Sequence, residues 1–552
     1  MRNEEDDAAA GLYGEPFDSG FALAGEHLLA ADLPAAHTVY EELLTATESI
    51  EHVPGVPFLR AHLLSDITSV RLAGTDFAGA ADAVERALGL LHDTTTIPPG
   101  PQGRQIWLEV LLKTLLARAD LLRGTGRPDE ALACLDEAAA RLPEFDDPEG
   151  LRTAELGLSR VHLLMARGAW GAAEEQASAL LSTMPTVPSP IALRLLTALG
   201  LICASTGRFD PAEDYFARAE EGCRATGDAD ERQSLLAHRA YAAMRRGDLD
   251  VAERLYAEAS AVFERQRRFG DLAVCEQARG FLAGLRGDAV GAEELLGAGL
   301  ARFQRIGASI AAADTGLLRA QHAYDRGDIT EMKRLAQEAR DAYQEGAVYE
   351  RCAQVDLMLA RTLEDNLNRT DHGEHETRSL DTALSLALPA ALALEAARHD
   401  FATAHARSQW LQLADEAMRL VFRLAVRRQD QGLLFELVEH RCAGASLALG
   451  RTPRSQAPGA SSGAAVPVEH AGSVFPDAAM KTYVRADGPT ALGGAVAEAA
   501  ASVGLRVAPP PKVRMSPESG RFALQEYIEA AEFRYHRRIV SEEEVPFWSP
   551  TT

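Results

Sequence analysis

Two places in this chain bring together side chains that could do chemistry. His372 and His375 lie beside Glu374 and Glu376. Imidazole and carboxylate both ligate zinc, and that is the chemistry a metal site would use there. Zinc wants a closed set of ligands, however. These four sit in the polar stretch Glu364–Glu376 without the helical His-Glu-x-x-His spacing, and a solvated loop is the reading the spacing favours. His440 and Cys442 form the second pair. A thiol beside an imidazole is what a cysteine nucleophile needs. These two are two residues apart on an expected helix and point to different faces, so helix packing is favoured. Neither a Gly-x-x-x-x-Gly-Lys-Ser phosphate loop nor a Gly-x-Ser-x-Gly elbow occurs. The residues therefore point to no enzyme, no cofactor and no metal.

A third pattern is sharper. Arg118, Arg160, Arg239, Arg279 and Arg319 each stand eight residues before a glycine. Those glycines belong to a phrase that recurs: Thr125-Gly126-Arg127, Arg167-Gly168-Ala169, Thr206-Gly207-Arg208, Arg246-Gly247-Asp248, Arg286-Gly287-Asp288 and Arg326-Gly327-Asp328. The steps between glycines are 42, 39, 40, 40 and 40 residues. A fixed period of this size means stacked supersecondary units, because one unit cannot bury its apolar face alone. Each unit reads as helix, tight turn, helix. The glycine suits positive φ at the turn, and the following Asp can cap the next helix. After the turn, Ala131, Leu135 and Ala138 share a helical face, as do Ala212, Phe216, Ala219 and Ala252, Tyr256, Ala259. In such a stack the arginines form a ladder along successive first helices. Their heads either pair with acids of neighbouring units or make a stripe that recognises an acidic peptide.

These residues resemble the tetratricopeptide repeat (TPR): a small residue (Gly200, Ala240, Gly280, Ala320), then Gly-Asp-large at the hairpin, then Ala, aromatic, Ala in the second helix. The resemblance implies an all-α, TPR-like α-solenoid, a right-handed superhelix across 111–345. The period of 40 exceeds the usual 34 of that family.

Composition agrees with a large helical chain. The 552 residues are 47% hydrophobic with few aromatics, and acids outnumber bases 81 to 56, a net charge of −25. Such a surface repels phosphate backbones and anionic lipid, which argues against nucleic acid and membrane as partners. No apolar run is read as a membrane span. The start, Met1-Arg-Asn-Glu-Glu-Asp-Asp, is the opposite of a secretory leader. The six cysteines are scattered and helical, so a reduced, cytoplasmic protein is expected.

In order, residues 1–17 read as a flexible lead and 18–103 as degenerate hairpins. The segment Thr94–Gly103 reads as a loop. TPR-like repeats occupy 104–363, with a helix from Tyr349 to about Leu363. Helical hairpins follow at 377–450, with worn turns near His399-Asp400 and Gln429-Asp430. A linker spans 451–472, and a tail spans 473–552. The tail has an extended piece near Lys481–Arg485 and an Ala-rich helix at Leu492–Val503. A final helix is expected from Phe522 to about Arg538. Phe522, Leu524, Tyr527, Ile528, Ala531 and Tyr535 form its apolar stripe, and Val545, Phe547 and Trp548 follow. A lone short helix cannot bury that surface. It must dock, with a partner favoured over the chain's own repeats and with Tyr527, Phe547 and Trp548 as contacts.

The region Leu388-Pro-Ala-Ala-Leu-Ala-Leu-Glu395 with Arg398, Phe401, Ala404, Arg407, Trp410 and Leu437–Cys442 resembles actinobacterial TPR proteins associated with CHAT peptidases, which are caspase-like. The stretches Val507–Met515 and Phe522–Trp548 resemble tails of the same group. No catalytic domain follows residue 450. The resemblance implies a non-enzymatic TPR-like scaffold for protein–protein interaction, with a CHAT-type peptidase as the regulated partner. The alternative is a signal sensor that binds a peptide or small molecule in the solenoid groove.

Overall fold

The computed structural model describes residues 12–444, apart from 30–31, 51–52, 54, 75, 126, 167–169, 185–188, 228, 347, 370–373 and 398–403, and then residues 509–515 and 521–546. Twenty-one α-helices account for most of them. Among the described residues two compact units emerge, the first chiefly those up to 166 and 173–315, the second chiefly 316–444, 509–515 and 521–546.

The first unit is a run of antiparallel helices. It comprises α1 (Phe17–Leu29), α2 (Leu33–Ala46), α3 (Val56–Ala73), α4 (Phe77–Leu91), α5 (Gly100–Gly124), α6 (Pro128–Arg141) and α7 (Leu151–Ala166). It continues with α8 (Trp170–Thr183), α9 (Pro190–Ser205), α10 (Phe209–Thr226), α11 (Ala229–Arg246), α12 (Leu249–Arg265), α13 (Phe269–Leu285) and α14 (Ala289–Ile306), and α15 (Ser309–Asp325) leads out of it. The second unit holds α16 (Ile329–Glu345), α17 (Tyr349–Arg369), α18 (Glu374–Ala397), α19 (Ala404–Arg428) and α20 (Gln431–Gly444). The described part of the tail adds β1 (Lys512–Arg514), α21 (Gln525–Tyr535) and β2 (Glu544–Pro546). This is the TPR-like α-solenoid architecture read from the repeats.

The recurring phrase makes the hairpins. Gly207, Gly247, Gly287 and Gly327 have φ of 76°, 93°, 80° and 81°, values that a side chain with a Cβ disfavours. Gly126 and Gly168 lie outside the described residues. The carboxylates of Asp288 and Asp328 accept from the backbone amides of Gly291 (2.9 Å) and Glu331 (3.0 Å), capping α14 and α16. Asp248 departs from the expected pattern: no amide reaches its side chain. It takes a hydrogen bond from Arg246 Nε at 2.6 Å instead, a charge-assisted contact that outcompetes the amide. Past each turn the small–large–small triplets are buried: Ala212, Phe216 and Ala219 are all at 0% exposure. Opposite them, a Cβ on Gly280 would lie 2.7 Å from Leu296 Cγ, and one on Gly200 would collide with the Phe216 ring. That is why the first helix carries its smallest residues there.

One contact within the first unit spans most of its sequence. Phe77 packs both on the cluster around Leu108 and Leu122 and on the cluster around Phe303 and Ile306. A Cβ on Gly307 would meet Ala78 at 3.3 Å. The turn between α14 and α15 therefore seats on the start of α4.

Three expectations change. Thr94–Thr96 form a 3-10 turn and α5 begins at Gly100, so little of Thr94–Gly103 is loop. The polar stretch Glu364–Glu376 is mostly helical: α17 continues to Arg369 and α18 starts at Glu374. Its polarity belongs to a helix interface. Leu367 is buried, Glu364 pairs with Arg423 at 2.7 Å and Glu376 with Arg427 at 2.9 Å, and Asn368 accepts from Arg427. The final helix is shorter than expected and is flanked by a parallel pairing of β1 with β2. The turn at Gln429-Asp430 is present, with Gln429 at φ 60°. The His399-Asp400 turn, the 451–472 linker, the Lys481–Arg485 piece and the Leu492–Val503 helix lie outside the described residues. Among the described helices, one stretch, Glu376–Ala396, is long and apolar enough to cross a bilayer, and 67% of it is buried inside the fold. That burial is the mark of a core helix in a helical stack.

Candidate functional site

The second unit buries acids where a helix normally buries carbon. Glu350, Asp356 and Glu436 are 6%, 2% and 7% exposed. Asp356 stands four residues after the buried Cys352, on the inward face of α17. A buried carboxylate must be paired and hydrogen-bonded to stay ionised. Arg340, on α16, donates to Asp356 from Nε (2.7 Å) and Nη2 (3.1 Å). These hydrogen bonds push the Arg340 pKa above its usual value.

The remaining partners come from the tail. The Tyr535 hydroxyl donates to Asp356 Oδ2 at 2.7 Å, a bond between residues 179 apart. Burial, with Asp356 beside it, pushes the Tyr535 pKa well up, so the phenol keeps its proton. Arg537 pairs with Glu350, both side chains being almost fully enclosed. Glu436 accepts from the Leu524 amide (2.7 Å) and from Arg521 (2.9 Å). That carboxylate sits at the N-terminus of α21, where the helix dipole favours an anion. Arg534 donates to the Ser385 carbonyl at 2.7 Å, and the His536 and Tyr349 rings lie 4.5 Å apart. Ile528, Ala531, Tyr535, Ile539 and Val540 are buried. Helix α21 lies against α17 and α18, and β1 against α20.

The sequence favours docking of this tail on a partner. The structure has its described part on the chain's own second unit instead. The physical reason is the set of buried acids on α17 and α20, which the tail's arginines and tyrosine complete. Tyr527 belongs to the same docked helix. Burial first, then the carboxylates of Asp430, Glu526, Asp381 and Glu436, raise its pKa. Phe547 and Trp548 lie outside the described residues.

The arginine ladder is engaged within the stack. Arg118 pairs with Glu85 (2.7 Å) and Arg160 with Asp136 (2.7 Å). Arg239 pairs with both Glu213 and Glu220 (2.8 Å each), and Arg279 with Glu253 (2.9 Å). Each guanidinium on a first helix reaches an acid on the second helix of the preceding hairpin. The hydrogen bond from Arg239 holds the Glu220 carboxyl below its usual range. Arg319 is also engaged, and its charge helps to lower the pKa of Glu331.

The other candidate sites come apart. His440 is 4% exposed while Cys442 is exposed, so the two face opposite ways. The remaining five cysteines are buried, and burial pushes the Cys275 and Cys352 thiols up to about 12, far from nucleophilic. His372 lies outside the described residues. Glu376 faces Arg427 across the α18–α19 interface.

Reading the sequence missed Glu350, Asp356, Glu436 and Arg340. Their only signal is a breach of pattern: charges at the inward positions of an otherwise amphipathic helix.

No family model matches the chain, and no curated protein matches it. Solved structures do. A Rap protein complexed with competence and sporulation factor covers 75% of this chain and 100% of its own length, at 14% identity and TM-score 0.42. Aspartyl phosphate phosphatase F from Bacillus subtilis covers 68% and 94%, at 10% identity and TM-score 0.38. The STAND protein PH0952 from Pyrococcus horikoshii, with a tetratricopeptide repeat sensor, covers 62% and 53%, at 14% identity and TM-score 0.34. The likeness is one of helical-hairpin architecture and extends to no ligand or activity.

Proposed function

We propose that this chain is a non-enzymatic, cytoplasmic TPR-like scaffold that binds and regulates a polypeptide partner, and that the partner is a CHAT-type caspase-like peptidase. The observation that carries the scaffold reading is the second unit's hold on the tail. Hairpins of this chain already recognise a polypeptide segment far away in sequence, through side chains aimed at it. The peptidase as partner rests on the resemblance of residues 388–442 and of the tail. In this reading the five ladder arginines and Tyr527 keep the stack and its tail in register. Phe547 and Trp548 retain the partner-binding role, as large apolar groups just beyond β2.

The test is isothermal titration of the purified chain with the CHAT peptidase of the same organism. A saturable heat with Kd of about 10 μM or tighter is expected, weakened at least tenfold by Trp548→Ala. Absence of any complex would remove the peptidase from the proposal.

A further inference from the structure

The grip on the tail has two features that a permanent cap does not need. First, its apolar contact, which buries Leu524, Ile528, Ala531, Ile539 and Val540, is built around buried acids. Glu350, Asp356 and Glu436 are met by Arg537, Tyr535, Arg521 and the Leu524 amide. Buried ion pairs give geometric specificity, but desolvation offsets most of their attraction. They select which segment seats there, while the apolar contacts around them do the holding. Second, the docked conformation is strained at both ends of α21. Leu524 and His536 take left-handed φ of 57° and 46°, which cost an L-residue free energy that is recovered on release. An 11-residue helix is also marginal alone, so α21 depends on its seat. It leaves Phe533 82% exposed on its outer side.

We propose that Glu350, Asp356 and Glu436 form a recognition site for an arginine- and tyrosine-bearing helix end, and that residues 521–540 are its exchangeable resident occupant, replaced by a segment of the same chemistry on a partner. This rests on the scaffold reading and gives it a place and a specificity. The acids choose the occupant by charge. Asp356, already held by Arg340 at both oxygens, adds a place for one hydroxyl donor at Oδ2. Glu436 requires a free amide at the start of the incoming helix. A phenylalanine in place of Tyr535 would fill the space and leave Asp356 one donor short.

Two measurements on the full chain test this. In amide hydrogen exchange, residues 525–540 should exchange at least tenfold faster than residues 352–362 of α17 in the same molecule. Equal protection of the two segments would overturn exchangeability, because the tail would then open only with its seat. In the second, a fluorescent peptide of residues 509–546 is titrated into the full chain carrying Arg537→Ala, whose own tail is weakened. Saturable binding is expected, at least tenfold tighter than to the wild-type chain and at least tenfold weaker for the peptide bearing Tyr535→Phe. A variant with wild-type circular dichroism that binds no peptide overturns the site. A CHAT peptidase that binds while the peptide does not would overturn this site and leave the scaffold reading standing. Peptide exchange without any peptidase complex supports this site and removes only the peptidase.

Discussion

Asp356 serves two partners at once, and losing it exposes both. Arg340 and Tyr535 each donate to it in a nearly closed setting. Asp356→Ala strands a guanidinium and a phenol, and such loss of one partner of a buried pair costs about 3 kcal/mol or more. The expected outcome is a lower urea midpoint together with faster exchange of the tail amides. An unchanged midpoint would mean that Arg340 finds another acceptor. Gly247 makes the complementary case, since nothing lies near its missing Cβ. Only φ, at 93°, opposes a side chain there. Gly247→Val should therefore cost ~1 kcal/mol or more, through the backbone alone. Thermal melting reads this directly, and an unshifted melt would show that the turn relaxes to negative φ.

Between elements, the arginine ladder is the repeating connection. Its pairs are half-exposed, so each contributes no more than about 0.5–1 kcal/mol. Reversing Arg239, Arg279 and Arg319 to Glu together places like charges across successive helix pairs. The melting temperature should fall, and added salt should recover part of the loss by screening the repulsion. Peptidase binding should be unaffected if the ladder only keeps register. A loss of binding with an unchanged melt would restore the reading of the ladder as an anion stripe.

At the scale of the whole chain, the buried histidines of the first unit make it sensitive to acid. Burial, reinforced by the Arg123 guanidinium, holds the His162 pKa down at about 4. Burial lowers the pKa of His62 and His238 as well. The unfolded chain binds these protons near the ordinary value of about 6.5. The stability from a neutral His162 is therefore fully present above that value and is lost as pH falls through about 4, with a ceiling of roughly 3 kcal/mol. Unfolding midpoints measured from pH 7 to pH 4 should drop more steeply for the wild type than for His162→Gln. Parallel curves would mean that His162 titrates normally in the folded chain.

The amino-acid sequence by itself determined the repeat. Turn glycines at a period near 40, capping aspartates and small–large–small triplets are local codes, each read within one hairpin. Local geometry suffices to place helices, turns and inward faces, because φ preference and helical periodicity act over a few residues. The structure follows those codes, except where an adjacent arginine draws Asp248 away from its cap. The polar stretch after Leu363 misled for the opposite reason. Its Glu364 and Glu376 look solvated until Arg423 and Arg427, over fifty residues later, arrive to pair with them. The same holds for the seat of the tail. Tyr527 and Tyr535 stand out as an apolar stripe in need of cover, but stripe spacing carries no information about what covers it. Only tertiary structure decided that, by bringing Glu350, Asp356 and Glu436 within reach of Arg537, Tyr535 and Arg521. Charge pairing between segments distant in sequence has no period, so it exists as a signal only once the helices between those segments have packed.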